Sequence, residues 1–373
     1  MKKIILTLAI GWFGCTAVNA QKVIEVTNPS NENRQELISI PFDQFAKHFG
    51  VDSVFQIVDE TSNSTYLYQL EKLGGLTAKN VLIQINIAPK GNLKLTVKGT
   101  PAPTVRPKTY ARYVPERFDD FAWENDIVAF RMYGKALEGR SDDAQGMDYW
   151  AKRTEELIIN KWYKENDYHK DHGEGLDYYS VGQTLGAGDI ALYLSDNIQY
   201  TKHYRDYQIL DNGPLRTTFR LIFDTQDFDG QQISLSKTIS LDAGQNFNKI
   251  KVDLENKTVK NTPIVIGLAK RNESNPEYKF DKKRNTLAYW EPTINDFGQT
   301  GTALLIPKGK ISFISNDSKQ FLLKASIQTG KPFIYHNGAS WNKAGKIQSF
   351  DAWADLVEKY AESIQKPLKV KLK

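Results

Sequence analysis

The sequence predicts a mainly β protein, a large antiparallel β-sandwich carrying only a few helices. From residue 190 to residue 336 one β-type run follows another, and many exceed the mean strand length of about 5–6 residues. Turn signals rich in Gly, Pro, Asn and Asp separate the runs, as consecutive hairpins require. Helical periodicity is confined to two stretches.

The chain begins with Lys2 and Lys3, an apolar run over residues 4–13 and a small-residue exit at Val18-Asn19-Ala20. That pattern reads as a secretory signal peptide over residues 1–20, too short for a membrane span, with cleavage after Ala20 and a periplasmic destination. Cys15, the only cysteine, lies inside it. A lipid anchor at Cys15 is the alternative, weakened by Trp12 where a branched aliphatic residue is expected. Cleavage after Ala20 leaves a chain with no thiol, which excludes disulfides, thiolate metal sites and cysteine nucleophiles. Stability then falls to a large core, which residues 21–373 can supply as one β-sandwich domain, with a subdivision near residues 100–110 as a further option.

Residues 23–97 carry short strands, among them 80–87, whose alternation after Val81-Leu82-Ile83 marks one buried face. The run 99–107, rich in Pro and Thr, reads as a crossing connection. Residues 111–126 form a block dense in Arg, acid and aromatic residues, followed by a strand over 127–133. Met147, Trp150, Ala151, Thr154, Leu157, Ile158 and Trp162 recur at three- and four-residue steps, which predicts a helix over 145–166. The second helix is predicted over 350–366, through Trp353, Leu356, Val357, Tyr360 and Ile364.

Formal charge is +5, or +3 without Lys2 and Lys3, and no arginine-rich stripe appears, so a nucleic-acid partner is excluded. The aromatic share of 12% suits sugar stacking as well as a large β core. Residues 168–188 stand out: they hold His169 and His172, two of five histidines, with Asp171, Glu174, Asp177, Tyr168, Tyr178, Tyr179 and five glycines. Histidines titrate near neutrality and glycines admit close backbone approach. Three readings stay open for this segment: a metal site, a structural loop, and proton transfer. No standard metal spacing is present, neither His-Glu-x-x-His nor a calcium loop, so no metal or other cofactor is expected, a structural divalent cation being the alternative. Glu124, Asp126, Glu174 and Asp177 also keep a two-carboxylate glycosidase open.

Proton transfer suits an acidic sugar. Abstraction of the C5 proton of a uronate builds negative charge on its carboxylate, so a cation there, a base at C5 and an acid for the C4 substituent are all needed. Water has a pKa of about 15.7, so expelled hydroxide needs that acid. His, Tyr and Arg can fill the three roles. In the block before Tyr133, Trp123 can serve as a sugar platform and an arginine can grip a carboxylate bidentately; the alternative is a loop in which Arg117 pairs with Asp119 or Asp120. Further candidates are Arg205 near His203 and Tyr204, Arg216 after the turn Asp211-Asn-Gly-Pro-Leu, and His336 and Trp341 bordering the glycine-containing loop His336-Asn-Gly-Ala-Ser-Trp341. His48, among Phe45, Phe49 and Val51, reads as an ordinary partly buried histidine.

Five blocks together, 115–126 (Pro-Glu-Arg-Phe-Asp-Asp-Phe-Ala-Trp-Glu-Asn-Asp), Arg131-Met-Tyr-Gly, 168–182, Asn212-Gly-Pro-Leu-Arg and His336-Asn-Gly-Ala-Ser-Trp, resemble a family of secreted domains from polysaccharide-utilisation clusters. Its characterised activity is an ulvan oligosaccharide dehydratase, and the resemblance covers nearly the whole chain after residue 20. It implies a supersandwich similar to galactose mutarotases. It also implies removal of water from a non-reducing-end glucuronic or iduronic acid by β-elimination, giving a 4,5-unsaturated uronate for a partner unsaturated glucuronyl hydrolase. On that reading His172 or His169 is the base, Tyr133 or Tyr178 the acid, and Arg131 or Arg205 the carboxylate ligand. Trp123, Glu124, Glu174, Asp177, Arg216, His336 and Trp341 then contact substrate. The alternatives are a polysaccharide lyase, a glycoside hydrolase and a non-catalytic glycan-binding protein.

Overall fold

A computed structural model describes residues 21–373; the signal-peptide and Cys15 expectations lie outside the described residues. The fold is mainly β, with antiparallel sheets and three α-helices. No helix among the described residues is long and apolar enough to cross a membrane.

One core is shared by three sheets. An eight-stranded sheet contributes Phe219, Ile239, Ile250 and Leu304; a five-stranded sheet from 187–194 to 320–328 contributes Ile190, Ile264 and Leu323; a second five-stranded sheet, built from 109–114, 120–125, 129–132, 147–152 and 175–176, contributes Trp123, Phe130 and Tyr149. Long strands dominate because period-two alternation buries every second residue over most of Gln231–Asp242 and Phe247–Asn256, with Arg216–Phe228 paired alongside across a register shift. A separate core beneath it joins the strands between Ile24 and Lys98 to helix α1 (Phe42–Phe49), through Phe45, Phe55, Ile57, Ile83 and Ile85. The chain returns there at its end, where Lys369–Leu372 pairs with Ile24–Thr27.

The strand 80–87 forms as expected, and the C-terminal helix α3 spans Phe350–Gln365, its N-terminus capped by Ser349. The helix expected over 145–166 does not form as such. Met147–Lys152 is a strand between Ala129–Met132 and Gly175–Leu176, and only Ile159–Glu165 is helical (α2). Both faces of that strand are buried, so a run that mimics helical spacing carries no usable period. Residues 111–126 contribute the strands Thr109–Val114 and Asp120–Asn125, since Asp120 and Glu124 are hidden by tertiary partners. Nor is 336–341 a loop: Phe333–Trp341 is one strand, and at Gly338 a Cβ would stand 2.3 Å from the Phe247 ring, so glycine is what lets that ring close.

Helix α3 lies on the side of the eight-stranded sheet that faces away from the shared core. Trp353 is fully buried against Trp290, Ala303 and Phe247, and its indole N–H donates to the Thr302 carbonyl at 3.1 Å. Trp353→Ala should therefore cost about 3–5 kcal/mol, read as a fall in the urea midpoint with far-ultraviolet dichroism retained in the native baseline.

Candidate functional site

Alternation in the second five-stranded sheet sends Phe121, Trp123, Phe130, Met147, Tyr149 and Leu176 into the shared core. The intervening residues Asp120, Glu124, Arg131, Asp148, Lys152 and Asp177 therefore face the other way, yet all six are buried. Helix α2 and the segment 166–177 cover them, with Trp150, Trp162, Tyr163 and Tyr168 forming an aromatic roof.

Arg131 is the hub of this charged layer. It sits directly across from Asp148 in register, donates to the Asp148 carboxylate through Nε at 3.0 Å and through a terminal nitrogen, and donates to Asp177 at 3.0 Å; Asp120 lies 3.5 Å away. Burial opposes its charge, but Asp148, Asp177 and Asp120 outweigh that and hold the guanidinium above its ordinary range. Three carboxylates exceed one guanidinium. Burial accordingly pushes Asp120 up to about 6 against the pull of Arg131 and Arg117, and pushes Asp177 well up, with Asp148 adding to it. Burial and then Asp148 also raise the phenol of half-buried Tyr133, whose ring lies under Arg131 at 5.0 Å.

His169 stands at the rim. Its Nδ1 is 2.9 Å from the Asp177 carbonyl oxygen, and since a carbonyl only accepts, Nδ1 carries the proton and Nε2 presents a lone pair. The Asp177 carboxylate lies 3.7 Å from the same nitrogen. Arg117, half-buried beside it, donates from Nε to the Tyr168 hydroxyl at 3.0 Å. The Arg117 loop is strained: Phe118 and Asp119 have φ of 52° and 62°, a region a bulky residue rarely adopts, and such strain concentrates at functional sites. The rest of the segment is held by its own contacts. Asp171 accepts from the N–H groups of Gly173 and Gly175 and pairs with Arg153, and at Gly175 a Cβ would lie 2.0 Å from the Ala151 carbonyl oxygen.

The structure thus brings Arg131, Tyr133, Asp177 and His169 together, and it disperses the other expected residues. His172 pairs with Asp167 at 3.0 Å in the exposed part of the segment, and Glu174 ties that segment to Lys161 at 2.9 Å. Trp123 is fully buried and donates to Asn248 at 2.8 Å, so it offers no face to a sugar; inward alternation is the reason. Glu124, equally buried, pairs with Lys152 and accepts the N–H groups of Ile158 and Ile159, serving as a remote cap for α2 rather than as a substrate contact. Arg131 is already matched by its carboxylates, and Arg205 by Glu138 at 2.8 and 2.9 Å, so neither guanidinium is left open for a substrate carboxylate. His336 and Trp341 lie five positions apart on one strand and so point to opposite faces. Trp341 enters the core side, beside Tyr178 and under Arg153 at 5.0 Å, and Tyr178 donates to or accepts from Thr300 at 2.6 Å. His336 and Arg216 line a cavity of about 900 Å³ between the N-terminal sandwich, the outer face of the eight-stranded sheet and α3. There Arg216 pairs with Asp242 and Glu71, and burial lowers His336 to about 3.

Sequence reading missed a second perturbed group. Glu291 is buried 2.6 Å from Arg271, whose guanidinium lies 4.6 Å from the Tyr179 ring, and burial pushes the acid up to about 7 against Arg271. Nothing near Glu291 in sequence announces this, because its partners come from residues 179 and 271. Among the described residues no group of three or more His, Cys, Asp or Glu is arranged to hold a metal ion.

Residues 26–370 match the model of a family described as Domain of unknown function (DUF4861). The uncharacterised protein P7 of Formosa agariphila is 31% identical over 281 residues, 70% of this chain and 69% of its own length. Among solved structures, an alpha-mannosidase from Enterococcus faecalis and a glycosyl hydrolase family 38 protein from the same organism each superpose on 94% of the chain with a TM-score of 0.51 and 8% identity. At that identity the likeness is one of fold, and the chain spans about half the length of each, 46% and 47%.

The raised acid at Glu291 has a signed consequence. Its folded value of about 7 lies above the unfolded 4.5, so its contribution to stability is full below pH 4.5 and falls as pH rises to 7, by roughly 3 kcal/mol over that window. In Glu291→Gln the decline in urea stability between pH 5 and pH 7 should be shallower than in the parent; parallel pH profiles would show that Glu291 does not titrate there.

Proposed function

The chain belongs to the DUF4861 family, and from that footing we propose that it is a carbohydrate-active dehydratase. It removes water from the non-reducing-end uronic acid of an ulvan-type oligosaccharide. The observation that carries this reading is His169, its Nδ1–H fixed on the Asp177 carbonyl and its Nε2 left free at the edge of the Arg131 carboxylate cluster.

Each need of the elimination has a group of suitable chemistry. His169 Nε2 takes the C5 proton; the C–H electrons form the C4–C5 double bond; the C4–O bond breaks; and the departing hydroxide receives a proton from Tyr133, leaving as water. Burial and then Asp148 raise the Tyr133 phenol above its ordinary range, so it begins the cycle with a proton to give. A proton returned from the imidazolium through solvent restores both groups. For the substrate carboxylate Arg117 replaces the earlier choices, because its Nε alone is engaged and its two terminal nitrogens carry no hydrogen bond among the described residues. Asp177 is a positioning residue: its carbonyl sets the tautomer and its carboxylate ties that strand end to Arg131. A product bearing a 4,5-double bond suits an unsaturated glucuronyl hydrolase as the next enzyme.

Incubation with glucuronate-terminated ulvan oligosaccharides should raise ultraviolet absorbance from the conjugated double bond and lower product mass by one water. His169→Ala and Tyr133→Phe should each reduce kcat by about 10²–10⁴-fold, with KM little changed. Chain cleavage without water loss would indicate a lyase, saturated products a hydrolase, and affinity with no product a glycan-binding protein; each would overturn the dehydratase reading.

A further inference from the structure

We propose that the cavity of about 900 Å³ on the far side of the eight-stranded sheet is a separate binding site for an oligosaccharide bearing carboxylate or sulfate groups. Its floor is the outward face of three long strands and Phe333–Trp341. Register places Arg220 beside Thr238 and Thr238 beside Lys251, and a parallel row runs from Ser240 to Lys249 to His336. Adjacent strands lie about 4.8 Å apart, so Arg220 and Lys251 bracket a hydroxyl across roughly 10 Å. The rows thus alternate cations with groups that both donate and accept hydrogen bonds, which is what a chain of hydroxylated, acid-bearing rings requires.

Charge bookkeeping gives the sign of the ligand. Arg34 is matched by Glu36, Arg216 by Asp242 and Glu71, Lys359 by Glu32, and Lys251 by Asp253 at 2.8 Å. Arg220 and Lys249 have no carboxylate within ion-pair distance among the described residues; the Arg220 side chain donates to Thr238 at 3.3 Å. Two unmatched cations, one of them the exposed Lys249, therefore line one open cleft. His336 is neutral there and shares a hydrogen bond of 2.8 Å with Tyr360, adding polarity without charge. With the paired side chains cancelling one another, the lining of the cleft is net positive. Strand alternation turns this floor away from the shared core, while the Arg131 layer faces outward from a different sheet on that core, so the two sites are separate.

The test uses the whole chain with an ulvan octasaccharide, its desulfated form, and a neutral xylo-oligosaccharide of equal length. Calorimetry should show binding of the acidic probe that weakens with salt, no binding of the neutral one, and about tenfold or greater weakening in the Arg220→Gln/Lys249→Gln double variant. His169→Ala should bind the octasaccharide as the parent does. Retained affinity after desulfation would assign the site to carboxylates, and lost affinity to sulfates. Equal binding of the neutral probe, or undiminished affinity in the double variant, would overturn the proposal. So would loss of turnover by the double variant on a uronate disaccharide, since the cleft would then be the reaction site. Absence of turnover in the parent with this binding pattern intact would sink the dehydratase reading alone.

Discussion

The contact of Arg131 with three carboxylates constrains everything around it. Moving one guanidinium and Asp120, Asp148 and Asp177 out of water carries a desolvation cost that an ion pair only partly offsets. Better-packed apolar residues would hold a sheet to a helix more cheaply. The arrangement does something an apolar layer cannot: with more acids than bases under one roof, burial raises the carboxyls of Asp120 and Asp177 above their ordinary range, and burial together with Asp148 raises the Tyr133 phenol. It also pins the end of the strand at Asp177, and through that carbonyl the tautomer of His169. The end of the strand at Asp177 and, through it, the orientation of His169 thus rest on one cation, while Glu124 and Lys152 anchor α2.

The eight-stranded sheet is used on both sides. One face closes the shared core, and its partner face, short of a complete apolar covering, is roofed by α3 at one side and left as a polar cleft at the other. Alternation makes this division strict, which is why His336 and Trp341, neighbours in a short motif, serve different surroundings. A motif read along the chain as one cluster is two half-clusters in space.

Much of the architecture could be read from the residues, because long alternating strands write their own period. The strand at 80–87 and the helix near 350–365 are legible for that reason. Met147–Lys152 is not, since Asp148 and Lys152 are buried by partners 17 to 28 positions upstream and no local rule expects charge inside. Helix α1 is missed because it is only eight residues long and has no side-chain cap, although Phe42, Phe45 and Phe49 followed by Gly50 at φ 68° carry its signal. In the site, the density of His, Tyr, acid and Gly over 168–188 marks the right region but cannot rank its members. Rank comes from partners: His172 meets Asp167 in solvent, His169 meets a buried backbone oxygen. The roles of Trp123 and Glu124 turn on which face of a strand they occupy, and that depended on seeing residues 120–125 as a strand at all.

The pairing of Lys369–Leu372 with Ile24–Thr27 bears on how the molecule reaches its native state. The two strands are separated by about 340 residues of chain, and contacts of such sequence separation form slowly. Until then the N-terminal sandwich presents an unpaired edge, the kind of surface that recruits other chains. The final strand carries lysines at 369 and 371, facing outward from the edge it finally becomes, a charge pattern that discourages further pairing. Pairing of Lys369–Leu372 with Ile24–Thr27 is thus also the step that removes a route to aggregation.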